Sequence, residues 1–247
     1  VIQDGGLGGG TGGRLRIASG ARQGLAGVNT YTGATTIEGN ALLYGNGSIA
    51  ASSSVNLAAA TAGFDISNST INPTVQNMSG VAGSQINLGV NTLTVVSSAA
   101  TTFAGEITGT GGLTKSGAGN LMLTGANTYT GGTTVSAGTL TGTTTSLQGN
   151  IVNNATVAFD QSTNGTYAGL MSGTGGLTKS GTGNLTLTGA SSYTGGTTVL
   201  AGTLTGTTTS LQGNIVNNAA LVFDQATNGT YAGAMSGTGS LALNGTG

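Results

Sequence analysis

Histidine and cysteine are both absent from this chain of 247 residues. Without cysteine the chain has no disulfide, no thiolate nucleophile and no cysteine-based zinc site. Without histidine it lacks Ser-His-Asp triads, histidine metal ligands and the commonest general base. Charged residues supply only 4% of the sequence, against a usual share of about 25%. The formal net charge of −1 gives no reason to expect nucleic acid or an anionic membrane surface as a partner.

Long apolar runs are missing as well. No run of about 18 uncharged apolar residues occurs, so the sequence predicts no membrane-spanning helix in this fragment. The acidic residues number six and are scattered: Asp4, Glu38, Asp65, Glu106, Asp160 and Asp224. Glycoside hydrolysis needs two acids facing one bond, and Asp160 and Asp224 are repeat equivalents expected three turns apart, roughly 14 Å. We therefore expect no enzyme activity, no catalytic residue, no cofactor and no metal site.

Glycine is abundant, with 49 residues, where about 7% of a chain is usual. Such a composition first suggests a disordered tract, because few large apolar groups are available for burial. The apolar residues are nevertheless spaced rather than scattered. In NLMLTG at 120–125 and NIVNNATVAFD at 150–160, a bulky apolar residue alternates with a small or polar one. This alternation is typical of β-strands.

The chain repeats itself almost verbatim. Segments 109–172 and 173–236 differ at ten of their 64 positions, and a truncated copy occupies 237–247. An older and longer unit lies over 14–108, where GVNTYTGATTIEGNALL at 27–43 matches the first copy at an offset of 98. The prediction is therefore one segment, 1–247, made throughout of a single kind of unit.

The repeat favours a parallel β-helix. Helical solenoids are poor candidates, because glycine, threonine and asparagine interrupt every run of helical length. A β-propeller needs about 40–45 residues per blade, which does not match the length of this unit. A β-helix with turns of about 20 to 22 residues would place about three turns in each unit. We expect the inner columns to contain Leu121, Leu123, Val135, Leu140, Ile151, Val157 and Phe159, with their equivalents in the second copy.

The stretch GGLTKSGAGNLMLTGANTYTGGTTVSAGTL at 111–140, and its copy at 175–204, resembles the autotransporter-associated β-strand repeat of bacterial type V secreted passenger domains. The resemblance is looser at 27–43. It implies an all-β, right-handed parallel β-helix that is exported across a Gram-negative envelope to the cell surface. It also implies an outer-membrane barrel, C-terminal to the passenger and outside this fragment.

Lys115 and Lys179, the only lysines, occupy one repeat position. The first interpretation is an edge residue that prevents end-to-end pairing of exposed strands. The alternative is a sparse line of positive charge that binds an acidic glycan. The basic cluster Arg14, Arg16 and Arg22 is interpreted as a solvated face rather than a binding site.

Several further residues have a structural and a functional interpretation. Tyr31, Tyr129 and Tyr193 share one repeat position and Tyr167 and Tyr231 another, and a stacked aromatic row either stabilises the coil or binds sugars. Thr143–Thr145 and Asn153–Asn154 are expected to form exposed or corner hydrogen-bonding ladders. Gly8–Gly13 satisfies GxGxxG, but no strand and helix flank it, which favours a turn-rich stretch over dinucleotide binding.

Two functions remain open at this point, together with a less favoured third. The first is a cell-surface adhesin stalk, in which repetition lengthens a rod that adheres to another copy, to cell-surface proteins or to a glycan. The second is a self-assembling extracellular filament or biofilm matrix subunit, which the exposed strand edge expected at Gly247 favours. The third is a polysaccharide-processing β-helix enzyme, which requires a carboxylate cluster.

Overall fold

The structure, a computed structural model, describes residues 12–247. In this range the chain forms 28 strands and no helix. Every strand pair is parallel, and each strand pairs with the strand one turn earlier or one turn later. The all-β, parallel β-helical fold predicted from the sequence is therefore confirmed.

The strands are short, with two to seven residues each. In chain order they are β1 (Leu15–Ile17), β2 (Arg22–Leu25), β3 (Thr35–Ile37), β4 (Asn40–Gly45), β5 (Val55–Leu57), β6 (Gly63–Ser69), β7 (Thr74–Gln76), β8 (Ser79–Gly80), β9 (Gln85–Asn87), β10 (Leu93–Val96), β11 (Thr101–Phe103), β12 (Glu106–Thr108), β13 (Leu113–Ser116) and β14 (Asn120–Leu123). The second half continues with β15 (Thr133–Val135), β16 (Thr139–Gly142), β17 (Ile151–Asn153), β18 (Thr156–Asp160), β19 (Gly165–Tyr167), β20 (Met171–Ser172), β21 (Gly176–Ser180), β22 (Asn184–Leu187), β23 (Thr197–Val199), β24 (Thr203–Gly206), β25 (Ile215–Asn217), β26 (Ala220–Gln225), β27 (Met235–Ser236) and β28 (Ser240–Gly245).

The strands line three faces, which the chain visits in the order A, B, C. Face A is one sheet of twelve strands that runs from β1 to β27. Face B contains two five-stranded sheets, β2 to β12 and β19 to β28, and face C contains a six-stranded sheet from β7 to β20. Where a face has no strand, loop segments continue the stacking, as Thr128 does by donating its backbone N–H to the Ile107 carbonyl at 2.9 Å.

Twelve turns therefore stack along one axis, one for each strand of face A. Paired residues in successive turns are between 17 (Leu140 and Val157) and 24 (Tyr44 and Asn68) positions apart. At a spacing of about 4.8 Å per turn, the described part of the chain is a rod roughly 50–60 Å long. Each turn buries its apolar residues only against its neighbours, so the interior is one continuous column.

The inner columns are those predicted from the alternation. The seven inward residues expected in the first copy are each at most 1% exposed, and their equivalents in the second copy are at most 3% exposed. The differences between copies follow the same rule. Met122 and its counterpart Thr186 are half-buried on the outer side, whereas Val157 and its counterpart Leu221 both lie in the core.

Each 64-residue unit takes three turns and about a third of another. Leu177 in β21 lies three turns after Leu121 in β14 on face A. Leu177, however, is the repeat equivalent of Leu113, which lies on face C. The true equivalent of Leu121 is Leu185, in β22 on face B. Successive copies are thus shifted by one face around the rod.

This shift corrects one expectation about stacking. Asp160 and Asp224 do not lie above one another three turns apart, because Asp160 belongs to β18 on face A and Asp224 to β26 on face B. Each column of one copy is therefore continued in the next copy by residues from a different repeat position.

The alternation gives a direct stability test. Leu121→Ala removes a fully buried side chain, so we expect the free energy of unfolding to fall by about 2–5 kcal/mol. Met122→Thr introduces the residue that the second copy carries at this position, on the outer side, and we expect a change within about 0.5 kcal/mol. Urea titration followed by circular dichroism measures both variants, and equal losses would contradict the assignment of inner and outer sides.

Candidate functional site

The described acidic residues lie on different strands or corners, and four of them, Glu38, Asp65, Glu106 and Asp160, have a local structural partner. Glu38 forms an ion pair with Arg16, with Oε2 2.6 Å from Nη2. Asp65 accepts the backbone N–H of Ser67 at 2.8 Å, and Asp160 accepts the hydroxyl of Ser180 at 3.2 Å. No group of three potential metal ligands occurs between residues 12 and 247. Asp4 lies outside the described residues.

The arginine cluster near the start of the described residues is exposed to solvent. Arg14, Arg16 and Arg22 are exposed, and Arg16 is held by Glu38. The GxGxxG stretch at 8–13 lies outside the described residues except for its last two glycines. The described residues also contain no helix with the length and hydropathy needed to cross a bilayer.

The lysines contradict both interpretations made from the sequence. Lys115 and Lys179 are fully buried, in the inner columns of β13 and β21, and neither guards a strand edge nor reaches an acidic glycan. Lys115 Nζ donates to the carbonyls of Ser116 and Gly117 at 2.7 Å and of Ala137 at 3.0 Å. The three ammonium donors are matched by three acceptors, which makes burial of the charge tolerable.

The end of β13 and the corner after it supply two of these acceptors, and the Ala137 carbonyl comes from the corner after β15 in the next turn. Gly117 has a φ of +76°, which favours glycine, and a Cβ there would lie 2.4 Å from the Ser97 carbonyl oxygen one turn below. The same corner follows β21, where Lys179 Nζ donates to the carbonyls of Ser180, Gly181 and Ala201 at 2.6 to 3.0 Å. The lysines therefore fasten the chain where it turns from one face to the next.

Burial lowers the pKa of both lysines, and the nearby Asp160 carboxylate partly opposes this effect at Lys179. Because the folded-state pKa is lower than the unfolded value near 10.5, the unfolded chain binds more protons between these two values. The lysine contribution to the free energy of unfolding therefore increases as the pH rises through this window.

A double variant, Lys115→Met with Lys179→Met, isolates this effect. We expect the difference in unfolding free energy, wild type minus variant, to increase from pH 7 to pH 10.5, by about 1.4 kcal/mol for each pKa unit of lowering. The tyrosines titrate in both proteins and cancel in the difference. Urea unfolding at several pH values measures it, and a difference that stays constant or falls would refute the burial of a charged lysine.

Tyr31, Tyr129 and Tyr193 anchor another kind of corner. Each is at most 1% exposed, and each hydroxyl lies 2.6–2.7 Å from the Oγ1 of the threonine four residues later. Tyr129 and Tyr193 lie on different faces of the rod, so they form no aromatic row and present no ring to a sugar. The structural interpretation of these tyrosines is the one that the geometry supports. Burial raises the pKa of all three phenols.

Tyr129→Phe tests this anchor. The variant removes the hydrogen bond to Thr133 and the acceptor for the backbone N–H of Gln148, so we expect a loss of about 1–3 kcal/mol of unfolding free energy. Tyr44, which is 45% exposed, provides the matched control, and Tyr44→Phe should change the same quantity by less than about 0.5 kcal/mol. Thermal unfolding of both variants measures the two losses. A Tyr129→Phe protein that is as stable as the wild type would contradict the anchoring role of Tyr129.

The polar ladders differ in part from those expected. Asn153 is 1% exposed and donates to the Gly176 carbonyl at 2.8 Å, so it is a buried corner residue. Thr143 and Thr145 bond to each other at 2.9 Å within one turn rather than between turns. On face C, Thr74, Thr94, Thr114 and Thr134 are strand partners in successive turns and form an outward column of threonines.

Two equivalent clefts open on the surface, one in each complete copy. The Tyr167 cleft has a volume of about 270 Å³ and lies between the loop after β16 and the end of β19. Its polar lining residues are Thr144, Gln148, Asn150 and Thr166, and the others are Leu147, Gly149, Tyr167, Ala168 and Gly169. The Tyr231 cleft, about 330 Å³, is lined by the equivalents of these residues in the second copy.

Tyr167 forms the buried wall of its cleft. It is 4% exposed, its hydroxyl donates to the Gly149 carbonyl at 2.5 Å, and its ring packs against Phe159 with centroids 5.2 Å apart. Tyr231 makes the equivalent hydrogen bond to Gly213 and the equivalent contact with Phe223. Desolvation is the main cause that raises the pKa of Tyr231 to about 12. The cleft walls are therefore neutral and fixed.

The clefts were not predicted, because their residues come from two successive turns and no residue type in them signals chemistry. A signal was present, since the segments TTTSLQGN and NGTYAG are identical in both copies, including their exposed positions.

Comparison with known proteins finds similarity to a passenger repeat family and to a bacterial adhesin. The model of the passenger-associated-transport-repeat family matches residues 25–39, 113–141 and 177–205. The Adhesin BmaC autotransporter of Brucella suis biovar 1 (strain 1330) is 42% identical over 167 residues, which is 56% of this chain and 5% of that protein. The chain thus spans a small fraction of the curated relative it matches. No solved structure matches the chain.

Proposed function

Because the chain carries the passenger repeats of bacterial autotransporters, we propose that it serves as the stalk of an adhesin. As a passenger segment it is exported to the cell surface. There it would act without catalysis, as a rod that holds adhesive sites away from the cell and contributes such sites along its length. The similar protein from Brucella suis is named an adhesin, which supports this proposal.

One observation carries the proposal: the repeated unit contains the buried residues that fasten successive turns of the β-helix together. Each segment that the family model matches contains a buried corner tyrosine, and the two later segments also contain a buried lysine. These anchors face inward and fasten one turn to the next. A unit of this kind lengthens the rod by about three and a third turns, roughly 16 Å, each time it is copied.

The outer surface suits adhesive contact rather than catalysis. The outward columns are mainly threonine, asparagine, serine and alanine, as in the column from Thr74 to Thr134 on face C. Between residues 12 and 247 no group of three acidic residues converges, and Asp160 and Asp224 lie on different faces, so no observation favours the polysaccharide-processing alternative. The filament alternative is distinguished by experiment.

Deleting residues 109–172 is the sharpest test of the stalk. The deletion joins Thr108 to Gly173, which begins the same sequence as Gly109, so the local junction is preserved and the protein should still fold. We expect a rod shorter by about 16 Å in small-angle scattering, and weaker attachment of bacteria that display it. Insertion of an additional copy should restore or increase attachment.

Two results would contradict the stalk. Attachment that does not change with the number of units would show that reach is not what the repeat provides. Long filaments of the purified protein in negative-stain electron microscopy at micromolar concentration would favour the self-assembling alternative. Discrete rods of one chain each, together with length-dependent attachment, would support the proposal.

A further inference from the structure

We propose that the Tyr167 cleft and the Tyr231 cleft bind short stretches of a neutral, hydroxyl-rich glycan, one cleft in each complete 64-residue unit. This inference rests on the adhesive role proposed above and adds to it a site and a class of ligand. Three features of the clefts support it: their unpaired polar groups, their lack of charge and their positions around the rod.

The polar groups of the clefts are only partly used by the protein itself. Asn150 Oδ1 accepts the backbone N–H of Leu170 at 3.0 Å, while its Nδ2 has no partner among the described residues. Gln148 donates through Nε2 to the Thr145 carbonyl at 2.9 Å, which leaves Oε1 without a donor. The hydroxyl of the exposed Thr166 has no intramolecular partner in the described part of the chain.

The Tyr231 cleft repeats this arrangement. Asn214 Oδ1 accepts the backbone N–H of Ala234 at 3.0 Å, and Gln212 Nε2 donates to the Thr209 carbonyl at 3.0 Å. The amide nitrogen of Asn214, the amide oxygen of Gln212 and the hydroxyl of Thr230 are again free of described partners. Each cleft therefore offers a donor, an acceptor and a hydroxyl that can do both.

This set of groups fits sugar hydroxyls. Neighbouring hydroxyls of a pyranose ring both donate and accept, so they can pair with an amide nitrogen, an amide oxygen and a threonine hydroxyl. The structure already fixes Asn150 and Gln148 through their other side-chain atoms, which reduces the entropy lost on binding. The volumes of about 270 and 330 Å³ lie just below and just above the lower limit of the usual range for ligand sites, roughly 300–1,000 Å³, and suit one or two sugar units.

The absence of charge selects the class of glycan. No charged residue lines either cleft, and the two lysines are buried where no glycan can reach them. An anionic sugar would lose hydration on entering a neutral cleft and would find no cation to compensate. Binding should therefore favour neutral glycans and depend little on salt concentration, since no ion pair forms.

The two clefts open on different faces of the rod. The Tyr167 cleft includes the end of β19 on face B, whereas the Tyr231 cleft lies on face C, in the loops that follow β24 and β26. The shift of one face per unit is responsible. One rod therefore presents its clefts to separate glycan chains around it, as in a polysaccharide layer, rather than both to one flat surface.

The test is binding of the purified chain to an array of neutral gluco-, manno- and galacto-oligosaccharides, printed beside sialylated and sulfated ones. The best neutral oligosaccharide is then titrated against the wild type and two double variants. Ala168→Phe with Ala232→Phe fills both clefts from the exposed rim. Thr166→Val with Thr230→Val keeps the side-chain shape and removes one hydroxyl from each cleft.

We expect at least one neutral oligosaccharide to bind, with an affinity that hardly changes between low and high concentrations of NaCl. The cleft-filling variant should lose affinity about tenfold or more, and the valine variant several-fold. Ala118→Phe with Ala126→Phe, at exposed positions outside both clefts, is the matched control and should bind as the wild type does. Filling only one cleft should halve the stoichiometry and leave the affinity of the other unchanged.

The inference is overturned if no neutral oligosaccharide binds, if binding survives in the cleft-filling variant, or if only acidic glycans bind. Attachment of bacteria that display the same variants separates this inference from the stalk. If the cleft-filling variant still supports attachment, glycan binding in the clefts is refuted, whereas the proposed stalk role is not. A wild-type chain that supports no attachment at any number of units would instead refute the stalk, whatever the array shows.

Discussion

Parallel hydrogen bonding between successive turns is the interaction on which the whole structure depends. No single turn of about 20 residues can bury its own apolar side chains, so each turn is stable only between two others. Once the backbone of one turn is paired with the next, the side chains alternate in and out together, and the inner columns form a continuous core. Every other feature of the molecule is set by how the corners keep this pairing in register.

The corners explain why buried polar residues recur in a chain with so few charges. A turn from one face to the next leaves backbone carbonyls without strand partners, and such groups are costly when they are shielded from water. Lys115 satisfies three of them, and Tyr129 ties its own corner to Thr133 and Gln148. An apolar residue occupies the lysine position in the other copies, as Ile17 and Leu243 show. The lysine is therefore one solution for the corner rather than a requirement of the fold.

The fractional number of turns per unit links the fold to its use. Three complete turns per unit would place every copy of a surface feature in one line along the rod. The additional third of a turn distributes identical surfaces around the axis instead, as the Tyr167 and Tyr231 clefts show. Such a rod presents equivalent surfaces in several directions, which is the arrangement that the proposed binding of separate glycan chains requires. It is less suited to a flat, face-to-face assembly of identical rods.

The sequence by itself determined the strands, the repeated unit and the inner columns, because alternation with a period of two depends only on local geometry. Leu121, Val157 and Phe159 could be assigned inward on that basis. The same period assigns Lys115 an inward position, two residues after Leu113, but a charged side chain is not expected to be buried. Only the tertiary structure showed that Lys115 is buried, because its three acceptor carbonyls come from a corner and from the next turn. It also decided the faces and the clefts, because the turns differ in length. Their summed lengths fix which distant segments meet, and no local pattern records that sum.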